Sequence, residues 1–146
     1  NNRGKRLVKS ANSDVRVSGL LHRLLNIYTF DELLGNAVVG HSWEGFIIEQ
    51  IAGNLPLGSN LSFYRTAAGA ELDAVVSDGH HQIGYEMKFS ENPKVSKGFW
   101  HACEDIGAKE AFVVAPVREA YPLAENVTVI PPSMVAATLA TPKPVP

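Results

Sequence analysis

The chain has 146 residues, of which 45% are hydrophobic and 19% are charged, a composition typical of one globular domain with its own core. Its formal charge of −2 excludes a globally basic surface, so nucleic acid would have to bind through a local patch. No apolar run reaches the roughly 20 residues of a membrane span and no signal peptide is visible, which favours a cytoplasmic protein without membrane contact.

Residues 1–40 are expected to form a helical lead-in to the domain. The basic run from Asn1 to Lys9 is typical of a solvated tail, with a short strand at Leu7-Val8. Leucines at helical spacing predict a helix over Gly19 to Leu25, and a capping box at Thr29 predicts a short helix that ends at Gly35-Asn36. The chain starts without methionine, so we expect it to be a fragment of a longer protein.

The next predicted helix contains an acidic residue on its apolar side. It begins at His41 or Ser42, with Ser42 as the N-cap, and ends near Ala52. Glu44 falls in the middle of an apolar arc, which consists of Trp43, Ile47, Ile48 and Ile51. A glutamate buried there is costly unless it is paired or coordinated. Alternatively, Glu44 complements the helix macrodipole and reaches solvent, and the helix pattern alone favours neither interpretation.

Three predicted strands follow this helix. The first spans Leu61 to Thr66. In the second, Leu72, Ala74 and Val76 alternate with Glu71, Asp73 and Val75, and Asp-Gly turn chemistry follows at residues 77–81. In the third, Ile83, Tyr85, Met87 and Phe89 alternate with Gln82, Gly84, Glu86 and Lys88. A period of two places Glu86 and Lys88 on one face, and hairpin pairing would bring Asp73 beside Glu86.

The remaining elements complete an α/β pattern. A helix is predicted from Lys94 or Ser96 to Ile106, closed by Gly107. The single cysteine, Cys103, excludes an intrachain disulfide, and because no histidine pattern marks it as a catalytic thiol, it is interpreted as a small buried residue of this helix. Apolar strands follow at residues 111–115 and 126–130, and residues 131–133 cap a last helix. We therefore expect a single domain over residues 1–140, an α/β sheet with helices on its faces, and a disordered tail over 141–146.

The charged residues of the second and third strands are candidates for chemistry. The carboxylates of Asp73 and Glu86 are hard oxygen ligands that suit Mg²⁺ or Mn²⁺, and Lys88 could orient a metal-bound water or stabilise charge on a phosphate. Alternatively, the hairpin face is simply solvated and contains an ordinary Glu–Lys pair. Glu71 shares the strand face of Asp73 and is the alternative ligand.

Several other side chains are candidates for binding a metal ion or nucleic acid. His41, His80 and His81 invite a zinc interpretation, but they lie in a helix start and a turn without cysteine partners, which favours solvated histidines. Phe99 and Trp100 could stack on bases, although an aromatic pair at a helix start more often packs on the sheet. Lys88, Lys94 and Lys97 could form the local basic edge that phosphate needs. Arg65 on the first strand could add a phosphate contact or could simply face solvent.

The order of elements and acidic residues resembles the PD-(D/E)xK, or restriction-endonuclease-like, nuclease core. The match consists of Glu44 on the helix, Asp73 on the second strand and Glu86-x-Lys88 on the third. The motifs Ser18-Gly19-Leu20-Leu21-His22, Trp43-Glu44-Gly45-Phe46, Glu71-Leu72-Asp73 and Glu86-x-Lys88 further resemble a domain of unknown function that follows an ATPase module in many prokaryotic AAA-type proteins. The resemblance covers about Lys9 to Ala115. It departs at Ser18, where aspartate is usual, and at Leu72, where the proline that names the motif is absent.

This resemblance implies a core motif region over residues 41–115 and an ATPase domain upstream, which this chain lacks because it has no Gly-x-x-x-x-Gly-Lys-Ser/Thr sequence. The leading hypothesis is a metal-dependent nuclease-like domain that acts on DNA or RNA, the C-terminal module of an ATPase protein. Glu44, Asp73 and Glu86 would position one or two Mg²⁺ ions and Lys88 would help to activate water. The competing hypothesis is a non-catalytic regulatory or partner-docking domain of an AAA-type ATPase.

Overall fold

A computed structural model describes Lys5–Arg6, Glu32 and residues 37–140. The described residues form a mixed α/β fold around one seven-stranded sheet. The strands are β1 (Lys5–Arg6), β2 (Asn60–Arg65), β3 (Glu71–Ser77), β4 (Gln82–Met87), β5 (Glu110–Val114), β6 (Tyr121–Ala124) and β7 (Val127–Ile130). The helices are α1 (Ala37–Gly53), α2 (Lys97–Ile106) and α3 (Val135–Leu139), the last preceded by a 3-10 turn at Pro132–Met134.

The strand order is β1-β2-β3-β4-β5-β7-β6, so half of the sheet is an antiparallel meander and the other half is mixed. Strands β1 to β4 pair antiparallel, whereas β5 pairs parallel with both β4 and β7. Helix α2 makes the crossover that a parallel β4–β5 connection requires. The predicted order of helix, three-strand meander, crossover helix and buried strand is confirmed. The edge strand β6 was not predicted, and β1 lies at Lys5–Arg6, before the Leu7-Val8 segment where a strand was predicted.

Two hydrophobic clusters lie on opposite faces of the sheet. Helices α1 and α3 cover one face, which we call the α1 face, and α2 covers the other, the α2 face. Strand β5 alternates between them, because Phe112 and Val114 belong to the α1 cluster and Ala111 and Val113 to the α2 cluster. Burial on both faces explains why this strand is a continuous apolar run in the sequence.

A β-bulge in β3 interrupts the alternation that the sequence predicts. Ser62 pairs with Val75 and Tyr64 pairs with Leu72, so two residues of β3 lie opposite one residue of β2. Leu72 therefore packs on the α2 face with Val75, while Ala74 packs on the α1 face. The prediction that Leu72 and Ala74 share a face was wrong, because a bulge shifts the side-chain phase by one residue.

Helix boundaries were predicted well for α2 and poorly for α1. The Ser96 side chain accepts the Phe99 N–H at 3.3 Å, and Gly107 ends α2 in the left-handed conformation with φ of 61°. Helix α1 begins at Ala37, so Ser42 lies inside the helix and is buried, and the prediction that it is the N-cap was wrong. The predicted helix at 19–25 and the tail at 141–146 lie outside the described residues, as does the short helix after Thr29 except for the helical Glu32.

Within the part of the chain that the structure describes, no helix is long and apolar enough to cross a lipid bilayer.

Candidate functional site

Asp73 lies where β3 and β4 begin to diverge. Backbone pairing between the two strands extends only as far as Ala74 opposite Tyr85. Beyond that point the Oδ2 atom of Asp73 accepts the backbone N–H of Met87 at 2.8 Å. The carboxylate thus takes the place of a strand carbonyl and satisfies a main-chain donor that the divergence would otherwise leave unpaired. This hydrogen bond fixes the Asp73 side chain in the gap between the strands.

Glu86 and Lys88 lie next to Asp73 and interact with each other. The Lys88 Nζ atom is 3.2 Å from the Glu86 Oε1 atom, and the Glu86 side chain is only 12% exposed. Residues of this parity on β4 point to the α2 face, where Gly84 approaches the Leu72 side chain. Strand alternation therefore places both groups together, as the sequence predicts, and α2 covers the glutamate.

Burial and like charge perturb the two carboxyl groups. Burial, together with the negative charge of Asp73, raises the pKa of Glu86 to about 8, although Lys88 opposes the shift. Burial also raises the pKa of Asp73, which the hydrogen bond from the Met87 N–H partly offsets. The two carboxyl groups are close enough to hydrogen-bond through a shared proton. Two carboxylates side by side cannot both ionise easily without a cation.

Glu44 approaches Asp73 from the α1 face. Its pKa is raised first by burial and then by the charge of Asp73, whereas His41 and Arg65 oppose the rise. Because α1 begins at Ala37, Glu44 lies beyond the first helical turn, where the macrodipole has little effect. The interpretation that Glu44 lies at a helix start and complements its macrodipole is therefore wrong. Burial first, and then the charge of Asp73, perturb its carboxyl group.

A cavity of about 210 Å³ opens beside Asp73 on the same side as Glu44. Its lining residues are Glu44, Ile48, Phe63, Arg65, Glu71, Leu72 and Asp73. The structure thus brings Asp73, Glu86 and Lys88 together and places Glu44 and Glu71 around Asp73. Among residues 37–140, however, no group of three or more His, Cys, Asp or Glu side chains is arranged to hold a metal ion as it stands.

The donors that are present suit a hard cation that keeps much of its water. Asp73 and Glu86 supply carboxylate oxygens, and Mg²⁺ is commonly bound through one or two carboxylates plus waters. A divalent cation bound between the two groups would favour their ionised forms and so oppose the rise in their pKa values. The pair therefore fits Mg²⁺ or Mn²⁺, with Glu44 farther away on the other side of Asp73.

Comparison with known proteins identifies the family of the chain. Residues 39–135 match the family model described as "Domain of unknown function (DUF4143)". The chain belongs to the DUF4143 family. This outcome confirms the part of the sequence resemblance that concerns a domain of unknown function.

The curated relatives are longer than the DUF4143 domain described above. The chain is 35% identical over 137 residues to the uncharacterized protein Rv2008c of Mycobacterium tuberculosis and equally to the uncharacterized protein Mb2031c of Mycobacterium bovis. The alignment covers 94% of this chain but only 31% of each relative. The crystal structure of protein VC1899 from Vibrio cholerae aligns with a TM-score of 0.42 at 12% identity, over 92% of this chain and 44% of that one.

The predicted nucleic-acid residues of the DUF4143 domain have different environments. Arg65 is bound to Glu71 at 2.6 Å, whereas Lys94 and Lys97 are exposed near the start of α2. Phe99 is buried at 1% exposure in the α2 cluster, so it packs on the sheet and does not stack on bases. Trp100 beside it remains 39% exposed.

The histidines form no metal site in the described part of the domain. His80 and His81 are exposed in the β3–β4 turn, and their backbone N–H groups donate to the Asp78 Oδ1 atom at 2.9 and 2.7 Å. These donors lower the pKa of Asp78, with the N–H of His81 contributing most. The histidines therefore belong to a solvated turn, and the zinc interpretation finds no support.

Two neighbours of the site were missed in the sequence. The Trp43 Nε1–H donates to the Val114 carbonyl at 3.2 Å, and the same carbonyl accepts the Lys88 N–H at 3.0 Å. Trp43 of α1 thus helps to hold the end of β4 in place. Its position next to Glu44 in the sequence was the signal that could have indicated this role. Cys103 of α2 is close enough to Glu86 that the carboxylate adds to the burial that raises the pKa of the thiol to about 11. No sequence signal indicated that contact.

Proposed function

We propose that this DUF4143 domain is a metal-dependent, nuclease-like module that acts on nucleic-acid phosphodiesters. The observation that supports it best is the placement of Asp73, Glu86 and Lys88 at the diverging ends of β3 and β4. Two partly buried carboxyls with raised pKa values and an ammonium 3.2 Å from one of them form a compact unit for cation and phosphate chemistry.

Each residue has a distinct role in this proposal. Asp73 and Glu86 would hold Mg²⁺ or Mn²⁺, and the ion would supply a Lewis acid and lower the pKa of water. Asp73 is oriented by the Met87 N–H, so its free oxygen is presented in a fixed direction. Lys88 orients the attacking water and stabilises negative charge on the phosphate, and Glu44 supports the site from the α1 side.

The arrangement of elements is consistent with a restriction-endonuclease-like core. An acid-bearing helix precedes a three-strand meander, and a crossover helix then leads to a strand parallel to β4. Backbone pairing between β3 and β4 ends at Ala74 opposite Tyr85, so both acidic residues lie just beyond the paired part of the two strands. We propose that this arrangement serves as the nuclease core that the sequence resemblance implies.

A regulatory or docking role is the second candidate, and one observation favours it. The cavity beside Asp73 is lined by three carboxylates and a single arginine, which discourages a polyanion unless a cation is present. In either case we propose that the domain is the C-terminal module of a longer ATPase protein. The chain covers only 31% of its curated relatives, which leaves room for such a module.

The decisive experiment is a cleavage assay on the complete natural protein and on this chain. The substrates are single-stranded, duplex and branched DNA as well as RNA, in Mg²⁺ or Mn²⁺. We expect Asp73→Ala and Lys88→Ala each to reduce cleavage by at least about a hundredfold, because metal placement and water activation act as one unit. Lys88→Arg should not rescue activity, since a planar guanidinium has a different donor geometry from an ammonium.

The matched control is Lys109→Ala, which removes an exposed lysine at the opposite end of the sheet and should leave cleavage unchanged. If the complete protein cuts none of these substrates, the nuclease proposal is wrong. If the Asp73 and Lys88 substitutions then alter binding to a protein partner or ATP turnover, the docking proposal replaces it.

A further inference from the structure

The cavity beside Asp73 contains an unusual balance of charge. Of its lining residues, Glu44, Glu71 and Asp73 are acidic and only Arg65 is basic. A phosphate group that entered this cavity would meet three carboxylates, and only the Arg65 guanidinium would attract it. Whether the cavity can accept a phosphate therefore depends on whether the Arg65 guanidinium is free to bind it.

Arg65 forms an ion pair with the carboxylate of Glu71. The Arg65 Nη2 atom is 2.6 Å from the Glu71 Oε1 atom, and the two residues are direct cross-strand partners on β2 and β3. The side chains are 67% and 46% exposed, so water competes for both groups and the pair contributes little to stability. Asp73 and Glu44 also act electrostatically on Arg65. Arg65 lines the cavity and its side chain is 67% exposed, so the guanidinium lies at the cavity mouth.

A guanidinium binds phosphate with the same forked geometry that it uses for a carboxylate. We propose that Arg65 is the residue that binds a substrate phosphate at the cavity mouth, and that Glu71 is a competing anion that occupies Arg65 until the phosphate displaces it. The inference rests on the proposed function, and it describes how the nucleic-acid phosphate would enter the site beside Asp73. Glu71 is then a gatekeeping residue for the nucleic acid and does not ligate the cation.

The cation and the exchange at Arg65 depend on each other. Without a divalent ion, the carboxylates of Glu44 and Asp73 add to the repulsion of a phosphate and also help to hold Arg65 in place. With the ion bound by Asp73 and Glu86, the charge of Asp73 is offset, so an incoming phosphate meets less repulsion when it competes with Glu71 for Arg65. Nucleic-acid binding through Arg65 should therefore be stronger in a divalent cation than in EDTA.

The test is a binding measurement that does not require cleavage. The complete protein is titrated into fluorescent DNA and RNA oligonucleotides in Ca²⁺, a hard cation with oxygen ligands, and again in EDTA. In Ca²⁺, we expect Glu71→Gln to tighten binding about threefold to tenfold, because Arg65 is released from its competitor. Arg65→Ala should weaken binding and lower the salt dependence by about one phosphate contact.

Two further variants make the test specific. Glu125→Gln removes an exposed carboxylate on the β6–β7 turn at the far end of the sheet, and it should change the dissociation constant less than twofold. In the double variant of Glu71→Gln with Arg65→Ala, the tightening should vanish, because the gain acts through the guanidinium.

Three results would overturn the inference: equal tightening by Glu71→Gln and Glu125→Gln, tightening that persists without Arg65, or no binding by any variant. The nuclease proposal and the proposed exchange at Arg65 can be refuted independently of each other. If Lys88-dependent cleavage occurs but Glu71→Gln has no effect on binding, only the gate at Arg65 is wrong. If binding responds as expected but no cleavage appears, the gate stands and the nuclease proposal is wrong.

Discussion

Replacing Glu86 with glutamine should remove most of a pH-dependent loss of stability in the metal-free domain. The pKa of Glu86 is about 8 in the folded protein, against an ordinary value of 4.5. Between these values the folded state keeps a proton that the unfolded state releases. The free energy of unfolding therefore falls as pH rises through this window, and the contribution of Glu86 is constant below and above it.

The size of the effect follows from the same difference in pKa. At 1.36 kcal/mol per pKa unit, the difference corresponds to about 5 kcal/mol for an isolated carboxyl. The Glu86 side chain is 12% exposed, so solvent screening is small. Asp73 titrates together with Glu86, which divides the effect between the two groups, and we expect about 3–5 kcal/mol of lost stability between pH 5 and 8.5.

Urea unfolding at several pH values, at constant ionic strength and in EDTA, measures this loss. Glutamine keeps the shape of the side chain and an acceptor for Lys88 but cannot ionise, so the variant should be more stable than the wild type at pH 8 and its pH slope should be much smaller. Glu125→Gln, at an exposed carboxylate, should retain the wild-type slope. Parallel pH profiles for the wild type and Glu86→Gln would refute the burial of an ionisable Glu86.

Two further substitutions test the packing that holds the site. A Cβ atom on Gly98 would lie 2.2 Å from the Gly69 carbonyl oxygen, so Gly98→Ala should lower the free energy of unfolding by about 1–3 kcal/mol. Gly40 lies on α1 with open space around it, so Gly40→Ala should raise the free energy of unfolding by about 0.5–1 kcal/mol. Similar stabilities in urea for both variants would contradict the close approach of α2 to the β2–β3 turn. Trp43→Phe removes the hydrogen bond to Val114 and should cost about 1 kcal/mol, since the carbonyl keeps its second donor; a wild-type urea midpoint would show that this bond is not formed.

Local signals predicted much of the fold correctly. Strand β4 alternates apolar and polar residues over its whole length, and the cap residues Ser96 and Gly107 delimit α2. These features depend on neighbours within a few residues, so the sequence contains them directly. The same alternation predicted that Glu86 and Lys88 lie side by side, and the structure confirms this contact.

Features that depend on distant residues were predicted poorly. Ser42 has the chemistry of an N-cap, but Val39 packs into the α1 cluster and extends the helix toward the N-terminus, so tertiary burial outweighs the local signal. Strand β6 contains Pro122 and is mostly exposed, and an edge strand of that kind has no apolar run to reveal it. The bulge after Leu72 depends on the register with β2, which no pattern within β3 specifies.

In the candidate site, too, contacts set by local sequence were predicted, whereas those that depend on distant residues were not. Proximity of Asp73 to Glu86 was predicted from hairpin pairing, but the hydrogen bond from the Met87 N–H arises because β3 and β4 diverge, and divergence is a property of the whole sheet. The environment of Glu44 could not be decided from the helix alone, because the two interpretations differ in where α1 begins. The ion pair of Arg65 with Glu71 likewise required the β2–β3 register.

The most direct test of the account is anomalous scattering from crystals grown with Mn²⁺, for the wild type and for Asp73→Asn. We predict an anomalous peak about 2.0–2.3 Å from carboxylate oxygens of both Asp73 and Glu86 in the wild type, with waters completing the coordination, and a lost or much weaker peak in the variant. Crystals saturated with Mn²⁺ that show no peak between these two carboxylates, while the Asp73 contact to the Met87 N–H is intact, would contradict the account.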